Sequence, residues 1–387
     1  MSAYDLIVIG GGPAGHTAAA AYREAAGRGA ALVLAGEGHA PYERPPLSKE
    51  LLRGESEPDA LPMENAGFYR EQGIEVRHVQ AASLDADARM ITLAGGEALA
   101  FERCVLATGA QPLRPSIPGA DAPGVHLLRT LDHALALRAA AVAGTTALLI
   151  GSGFIGCEAA ASLARRGCTV TLVSQEPAPQ AARLGDEVAR RLAGWLEEAG
   201  VDLRLDRELA CIDPGLRATL TDGVAIDADL VLLAAGVAPD ASLAETAGIE
   251  LADGGKIAAD AALRTSAPAV LACGDCCRAE HAVAGRPLHI EHWGDALAQG
   301  EVAGRTAAGA DAAWATVPGF WSTIGDRTLK YAAWGDGYVD VRVVDHGDGA
   351  FSAWYARDGA CVGVLTHDRD DDYESGQERI EHGEPPP

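Results

Sequence analysis

Two glycine loops, each set between a short β-branched run and an Ala-rich stretch, constrain this chain more than any other feature. The first, Gly10-Gly11-Gly12-Pro13-Ala14-Gly15, follows the apolar run Leu6–Ile9. The second, Gly151-Ser152-Gly153-Phe154-Ile155-Gly156, follows Ala147–Ile150. In the G-x-G-x-x-G frame the first glycine permits a tight turn and the second lets a pyrophosphate approach the backbone. The third lets the following helix pack closely on the strand. The helix N-terminus then presents unpaired N–H groups and a partial positive charge to the phosphates. Glu37 lies 22 residues beyond Gly15, at the end of the next candidate strand, where a carboxylate can accept hydrogen bonds from a ribose. The matching position of the second unit is Ser174, 18 residues after Gly156, with Glu176 two further on. Each loop alone could be a structural turn, but in this strand–loop–helix context both are expected to bind dinucleotides. Two such sites in one chain imply a tightly held redox carrier and an exchangeable hydride donor.

The rest of the pattern alternates strand-like and helical runs, which predicts an α/β fold with two Rossmann-type units. Candidate strands at 31–35 and 104–107 complete the first unit, and Thr108-Gly109 closes it. After the Pro-rich connection 112–118 the architecture restarts, and it ends at Ala235-Gly236 after the run 230–235. A late strand at 270–272 leads into Gly274-Asp275. From about Val317 the pattern changes to candidate strands at 328–334, 339–345, 350–356 and 361–366 and a charged helix at 369–382. These read as a small C-terminal α+β domain. The expected domains are therefore a discontinuous FAD-binding domain (1–110 and 238–316), an NAD(P)H-binding domain (111–237) and the C-terminal domain (317–387).

The formal charge of −24, from 55 acidic and 31 basic residues, argues against a nucleic-acid partner, which needs a basic footprint. Only three of the cations are lysines, Lys49, Lys256 and Lys330. No apolar run has the length to span a bilayer, and Tyr4–Ile9 enters the first loop with no basic segment before it, so a cytoplasmic protein is expected. The eight cysteines are scattered and read as reduced thiols. The cluster Cys273-Gly-Asp-Cys276-Cys277 lacks further ligands at metal-binding spacing, so no metal site is expected.

Gly274-Asp275 bears on which cofactor sits where. An Asp at a strand end can hydrogen-bond the ribityl hydroxyls of a flavin, a chain that nicotinamide cofactors lack; the alternative is a simple turn. Taken together and in order, 10–15, Ala107-Thr108-Gly109, 151–158, Ala235-Gly236 and Cys273-Gly274-Asp275 resemble the FAD-dependent pyridine-nucleotide oxidoreductases. Within them, Pro41-Tyr42-Glu43-Arg44-Pro45-Pro46-Leu47-Ser48-Lys49 is similar to the segment of ferredoxin and rubredoxin reductases that serve P450s and dioxygenases. The resemblance covers essentially the whole chain.

That resemblance implies contacts. Gly10, Gly12, Pro13, Ala14, Gly15, Glu37, Arg44, Lys49, Ala81, Thr108, Gly109, Arg129, Gly274, Asp275 and Trp293 would meet FAD, with Lys49 beside the ring and Trp293 at its pyrimidine side. Gly151, Gly153, Phe154, Ile155, Gly156, Glu158, Ser174 and Gly236 would meet NADH or NADPH, with modest preference for NADH. Glu158 would pair with Lys49 near the flavin N5 and the nicotinamide, the two forming the catalytic pair. Read without the resemblance, Lys49 would be a solvated surface lysine. The partner implied is a ferredoxin- or rubredoxin-type iron–sulfur protein, the protein being a monomer or homodimer. Arg44, Arg53 and Lys330 are candidate docking cations. One departure stands out. After Phe320-Trp321-Ser322 many relatives continue with Asp and Gln, where this chain has Thr323-Ile324-Gly325-Asp326.

Other functions stay open at this point. A dithiol reductase needs a Cys pair near the flavin, and the stretch 37–61 has no cysteine. An NAD(P)H oxidase or quinone reductase shares the same reductive half-reaction. An NADH-responsive redox-sensing binding protein would instead reoxidise slowly.

Overall fold

The computed structural model describes residues 2–387. The opening strand Ser2–Ile9 has Leu6, Ile7 and Val8 with no solvent exposure, as expected of a strand covered on both faces. It pairs in parallel with Ala31–Leu34 on one side and Ala98–Leu106 on the other. Ile74–Arg77 extends the sheet beyond Ala31–Leu34, and the antiparallel strands Met90–Leu93 and Ala81–Asp85 extend it beyond Ala98–Leu106. Val270–Ala272 pairs in parallel with Ala98–Leu106, so the chain returns to the first sheet after completing the second.

The second sheet is parallel throughout, in the order Val201–Arg204, Thr169–Val173, Thr146–Ile150, Leu230–Leu233, Val125–His126. The chain passes between the two sheets twice, and both passages pair as one antiparallel ribbon, Ala110–Pro112 with Val237–Pro239. The Thr108 hydroxyl donates to the Asp240 carbonyl across the same junction.

The C-terminal domain is a five-stranded antiparallel sheet ordered Gly319–Ile324, Arg327–Ala333, Ala360–His367, Ala350–Arg357, Asp340–Gly347. The helix Asp370–His382 covers it, burying Gly376 and Ile380. Its first strand, Gly319–Ile324, is not among those predicted from sequence. Ser322 is buried within it, and a buried serine breaks the apolar alternation that marks a strand. Leu329, Phe351 and Leu365 of this sheet share a core with Leu52, Cys157 and Leu163. The domain is thus packed on the helix that follows the second glycine loop.

Candidate functional site: two glycine loops and a buried ion pair between them

The two loops are built alike. Gly10 has φ +123°, and a Cβ there would lie 2.7 Å from the Ala107 carbonyl carbon; Gly151 has φ +107°, with its Cβ 2.9 Å from the Ala234 carbonyl carbon. In each unit the loop is pressed against the end of the neighbouring strand, so only glycine fits. A Cβ on Gly15 or Gly156 would overlap the carbonyl of Gly10 or Gly151, which fixes how closely helix and strand pack. The middle glycines differ. Gly12 and Gly153 are the N-caps of helices Pro13–Glu24 and Phe154–Arg165, in extended backbone. Their missing Cβ atoms face only the side chains of Arg44 and Gln180, at 3.6 Å and 3.9 Å. Neither helix has a side-chain cap or an acid in its first turn. These uncapped N-termini beside open glycines fit dinucleotide phosphates.

Around the first loop, Glu37 accepts hydrogen bonds from the Tyr42 hydroxyl and the Arg44 guanidinium. Tyr42 in turn accepts from Leu131 N–H at 2.9 Å, and Arg44 donates to the Arg129 carbonyl at 2.9 Å. Burial opposes ionisation of Glu37, but the Arg44 charge and the two donors outweigh it and hold the carboxyl below its usual range. Arg129 pairs with Asp275 at 2.6 Å and lies 3.5 Å from the missing Cβ of Gly109. Gly274 has φ +78°, its absent Cβ 3.0 Å from the Ala14 methyl. Ala81 opens the strand Ala81–Asp85, next to Gln80, which packs on Gly36 beside Glu37. The structure thus links Gly12, Ala14, Glu37, Arg44, Gly109, Arg129, Gly274 and Asp275 through one run of contacts. Thr108 uses its hydroxyl on the interdomain ribbon.

Around the second loop, Ile155 is exposed and Phe154 is half-buried. Gly236, φ +100°, accepts Leu113 N–H at 2.9 Å through its carbonyl. Ser174 is buried: its hydroxyl shares a 2.6 Å hydrogen bond with Ser152 and accepts from Glu176 N–H at 3.1 Å. Beyond it Gln175 is exposed and Glu176 half-buried, the Glu176 carboxylate accepting from Ala182 N–H at 3.4 Å. The backbones of Arg204 and Arg207, remote in sequence, lie against Ser174, since Ser174 N–H donates to the Arg204 carbonyl and Arg207 N–H to that of Ser174, while their guanidinium groups pair with Asp202 and Asp222.

Lys49 and Glu158 meet between the loops. Both are buried, and Nζ lies 3.0 Å from Oε2. The Ser48 hydroxyl donates to the same oxygen, while Ser162, one helical turn beyond Glu158, donates to the Ser48 carbonyl at 2.7 Å. The other carboxylate oxygen accepts from the Ser322 hydroxyl at 2.8 Å and from Thr323 N–H at 3.3 Å. Ser48, Ser322 and Thr323 stand in segments quoted from the sequence, but none is assigned there to the Lys49–Glu158 pair. Beside the pair, the Phe320 ring packs edge-on against Phe154 at 4.7 Å and tilted against His292 at 4.5 Å. His292 caps the helix that Trp293 opens, so Trp293 stands half-buried at the same junction.

The family model for pyridine nucleotide-disulphide oxidoreductases matches residues 4–300. The chain belongs to that family. A ferredoxin–NAD(P)+ reductase of a Sphingomonas species is 32% identical, the match covering 98% of this chain and 93% of that one. A rubredoxin–NAD+ reductase of Pseudomonas putida is 30% identical over 84% of this chain and 85% of its own. The crystal structure of a ferredoxin reductase from Rhodopseudomonas palustris superposes with a TM-score of 0.93 at 30% identity, covering 99% of this chain and 96% of that one. The protein is an FAD-dependent oxidoreductase with a ferredoxin reductase-like fold.

Although this pyridine nucleotide-disulphide oxidoreductase carries a family name that refers to thiol chemistry, its cysteines are poorly suited to it. Seven of the eight are buried and only Cys211 is half-exposed. Burial raises the pKa of the buried thiols, Cys157 beside Glu158 included. Among the described residues no group of His, Cys, Asp or Glu could hold a metal ion, and no helix is long and apolar enough to cross a membrane.

Proposed function

We propose that this protein accepts a hydride from NADH at the second loop, holds FAD at the first, and passes single electrons to a ferredoxin- or rubredoxin-type iron–sulfur protein serving a P450 or oxygenase. The observation that carries this reading is the buried Lys49–Glu158 pair at the junction of two uncapped dinucleotide loops, with no dithiol beside it. When bound, FAD supplies an acceptor for the nicotinamide hydride and a donor of one electron at a time.

The chain's own residues have assignable tasks. Helix Pro13–Glu24 and Arg44 would hold the pyrophosphate, Glu37 the adenosine ribose, and Asp275, oriented by Arg129, the ribityl chain. Lys49 would place its charge beside the flavin ring, where a cation helps the ring accept electrons, and Glu158 keeps that charge matched in a poorly solvated site. Phe154, Phe320 and His292 exclude water from the same junction.

The nature of the acceptor rests on the relatives, which are reductases of ferredoxin and rubredoxin. One observation favours a second reading, a small-molecule acceptor. Arg44 pairs with Glu37, Arg53 is held by Glu50 and Glu55, and Lys330 pairs with Asp370, so the three cations expected to dock a partner are each neutralised. The test is anaerobic reduction by NADH followed by mixing with a ferredoxin or rubredoxin. Rapid reduction of the iron–sulfur protein supports the proposal. Fast turnover on oxygen or quinone with no transfer to either protein overturns it.

A further inference from the structure

The Glu158 carboxylate is shared between two bodies of the molecule. Oε2 faces the segment Ser48–Lys49, which belongs to the first glycine-loop unit. Oε1 faces Ser322 and Thr323, which belong to the C-terminal sheet. The residue itself rides on the second loop helix, Phe154–Arg165. A buried carboxylate is expensive unless donors occupy its lone pairs, and here each oxygen has two. Removing the C-terminal pair would leave Lys49 and Ser48 as the only compensation for its charge.

The surroundings hold Ser322 to this task. It is buried and its strand is paired along its full length to Arg327–Ala333. The Thr323 hydroxyl is bound to Thr328 at 2.9 Å across the same hairpin, and Asp326 in the turn pairs with Arg165 of the loop helix at 2.6 Å. The hairpin is therefore pinned at both ends of the contact.

We infer that Ser322 is a positioning residue: through Glu158, the C-terminal domain fixes the Lys49 ammonium at the hydride-accepting site. This rests on the reading that Lys49 and Glu158 flank the flavin. With Ser322's donor gone, Glu158 leans harder on Lys49 and draws its ammonium away from the ring. Ser322 is buried with its hydroxyl on Glu158, so on this inference its effect must vanish when Glu158 can no longer carry charge.

The experiment is a double-mutant cycle of Ser322→Ala and Glu158→Gln in the FAD-loaded protein. Two readouts apply: the limiting rate of flavin reduction by NADH, and the flavin midpoint potential measured without NADH. Ser322→Ala is expected to slow reduction roughly tenfold, the scale of one lost hydrogen bond to a charged group, while changing the apparent NADH Kd less than about twofold. It should also shift the potential. In the Glu158→Gln background both effects of Ser322→Ala should disappear, and Ser322→Thr, which keeps a hydroxyl, should restore the wild-type rate. If Ser322→Ala does not retain FAD, Ser322→Cys, with a weak donor of similar size, takes its place in the cycle. A Ser322→Ala protein that reduces at the wild-type rate, or is slowed equally in both backgrounds, overturns the inference. A Glu158→Gln protein with wild-type rate and potential instead overturns the reading of the Lys49–Glu158 pair itself.

Discussion

The middle and first glycines of the first loop should separate cofactor binding from folding. Gly12 has φ −82° and ψ −175°, an extended backbone that any residue adopts, and an added Cβ meets nothing closer than the Arg44 guanidinium at 3.6 Å. Valine there should fold, with Arg44 moving aside. Its side chain would stand where phosphate oxygens must approach the helix N–H groups. Losing two such bonds at about 1.5–3 kcal/mol each weakens FAD binding by roughly 3–6 kcal/mol, or about 10²–10⁴ in Kd. Gly10→Ala meets a different obstacle. Its φ of +123° is costly for any side chain, and its Cβ would press on the backbone of Ala107, which no rotamer change relieves. Strain of about 1–3 kcal/mol plus a similar overpacking cost is a large part of the roughly 5–15 kcal/mol that holds a domain folded. The assay pairs flavin content and FAD titration with far-UV circular dichroism and thermal midpoints. Gly12→Val should be a folded apoprotein, and Gly10→Ala a poorly folded one. Full FAD occupancy in Gly12→Val, or a stable Gly10→Ala beside an unfolded Gly12→Val, would refute the reasoning.

Three further outcomes are expected. Brief alkylation of the native protein should modify Cys211 first and leave flavin reduction by NADH intact, checked by mass spectrometry and anaerobic stopped flow, because the other thiols are buried. Glu37 has a depressed carboxyl pKa, so its contribution to stability is present above about 4.3, the unfolded value, and is lost as pH falls through the lower folded value. The gap in thermal midpoint between wild type and Glu37→Gln should therefore be widest near neutrality and close in acid. For nicotinamide choice, a modest NADH preference is expected from Glu176, with Glu176→Gln raising kcat/KM for NADPH about tenfold, equivalent to about 1.4 kcal/mol. An NADPH advantage in the wild type, abolished by Arg207→Ala, would refute that assignment. Ser174→Glu is a poorer probe, since it would force a charge into the buried pocket shared with Ser152.

What the sequence alone determined was local. The spacing of each glycine loop, the strand before it and the helix after it lie within a few residues, so covalent geometry fixes their relation and composition reports it. The two-unit α/β plan and most of the C-terminal strands were legible for the same reason. Tertiary structure decided everything that depends on which distant side chains share a volume. Lys49 reads as a surface residue until a helix more than a hundred positions later delivers Glu158. Ser174 reads as an outward ribose contact until Ser152 takes its hydroxyl. Arg204 and Arg207 reach Ser174 only through sheet pairing, which no local pattern records. Ser322 is the sharpest case: the burial that makes it a partner of Glu158 also erased the alternation by which its strand could be recognised, because a polar group is stable in the core only where folding brings it a partner.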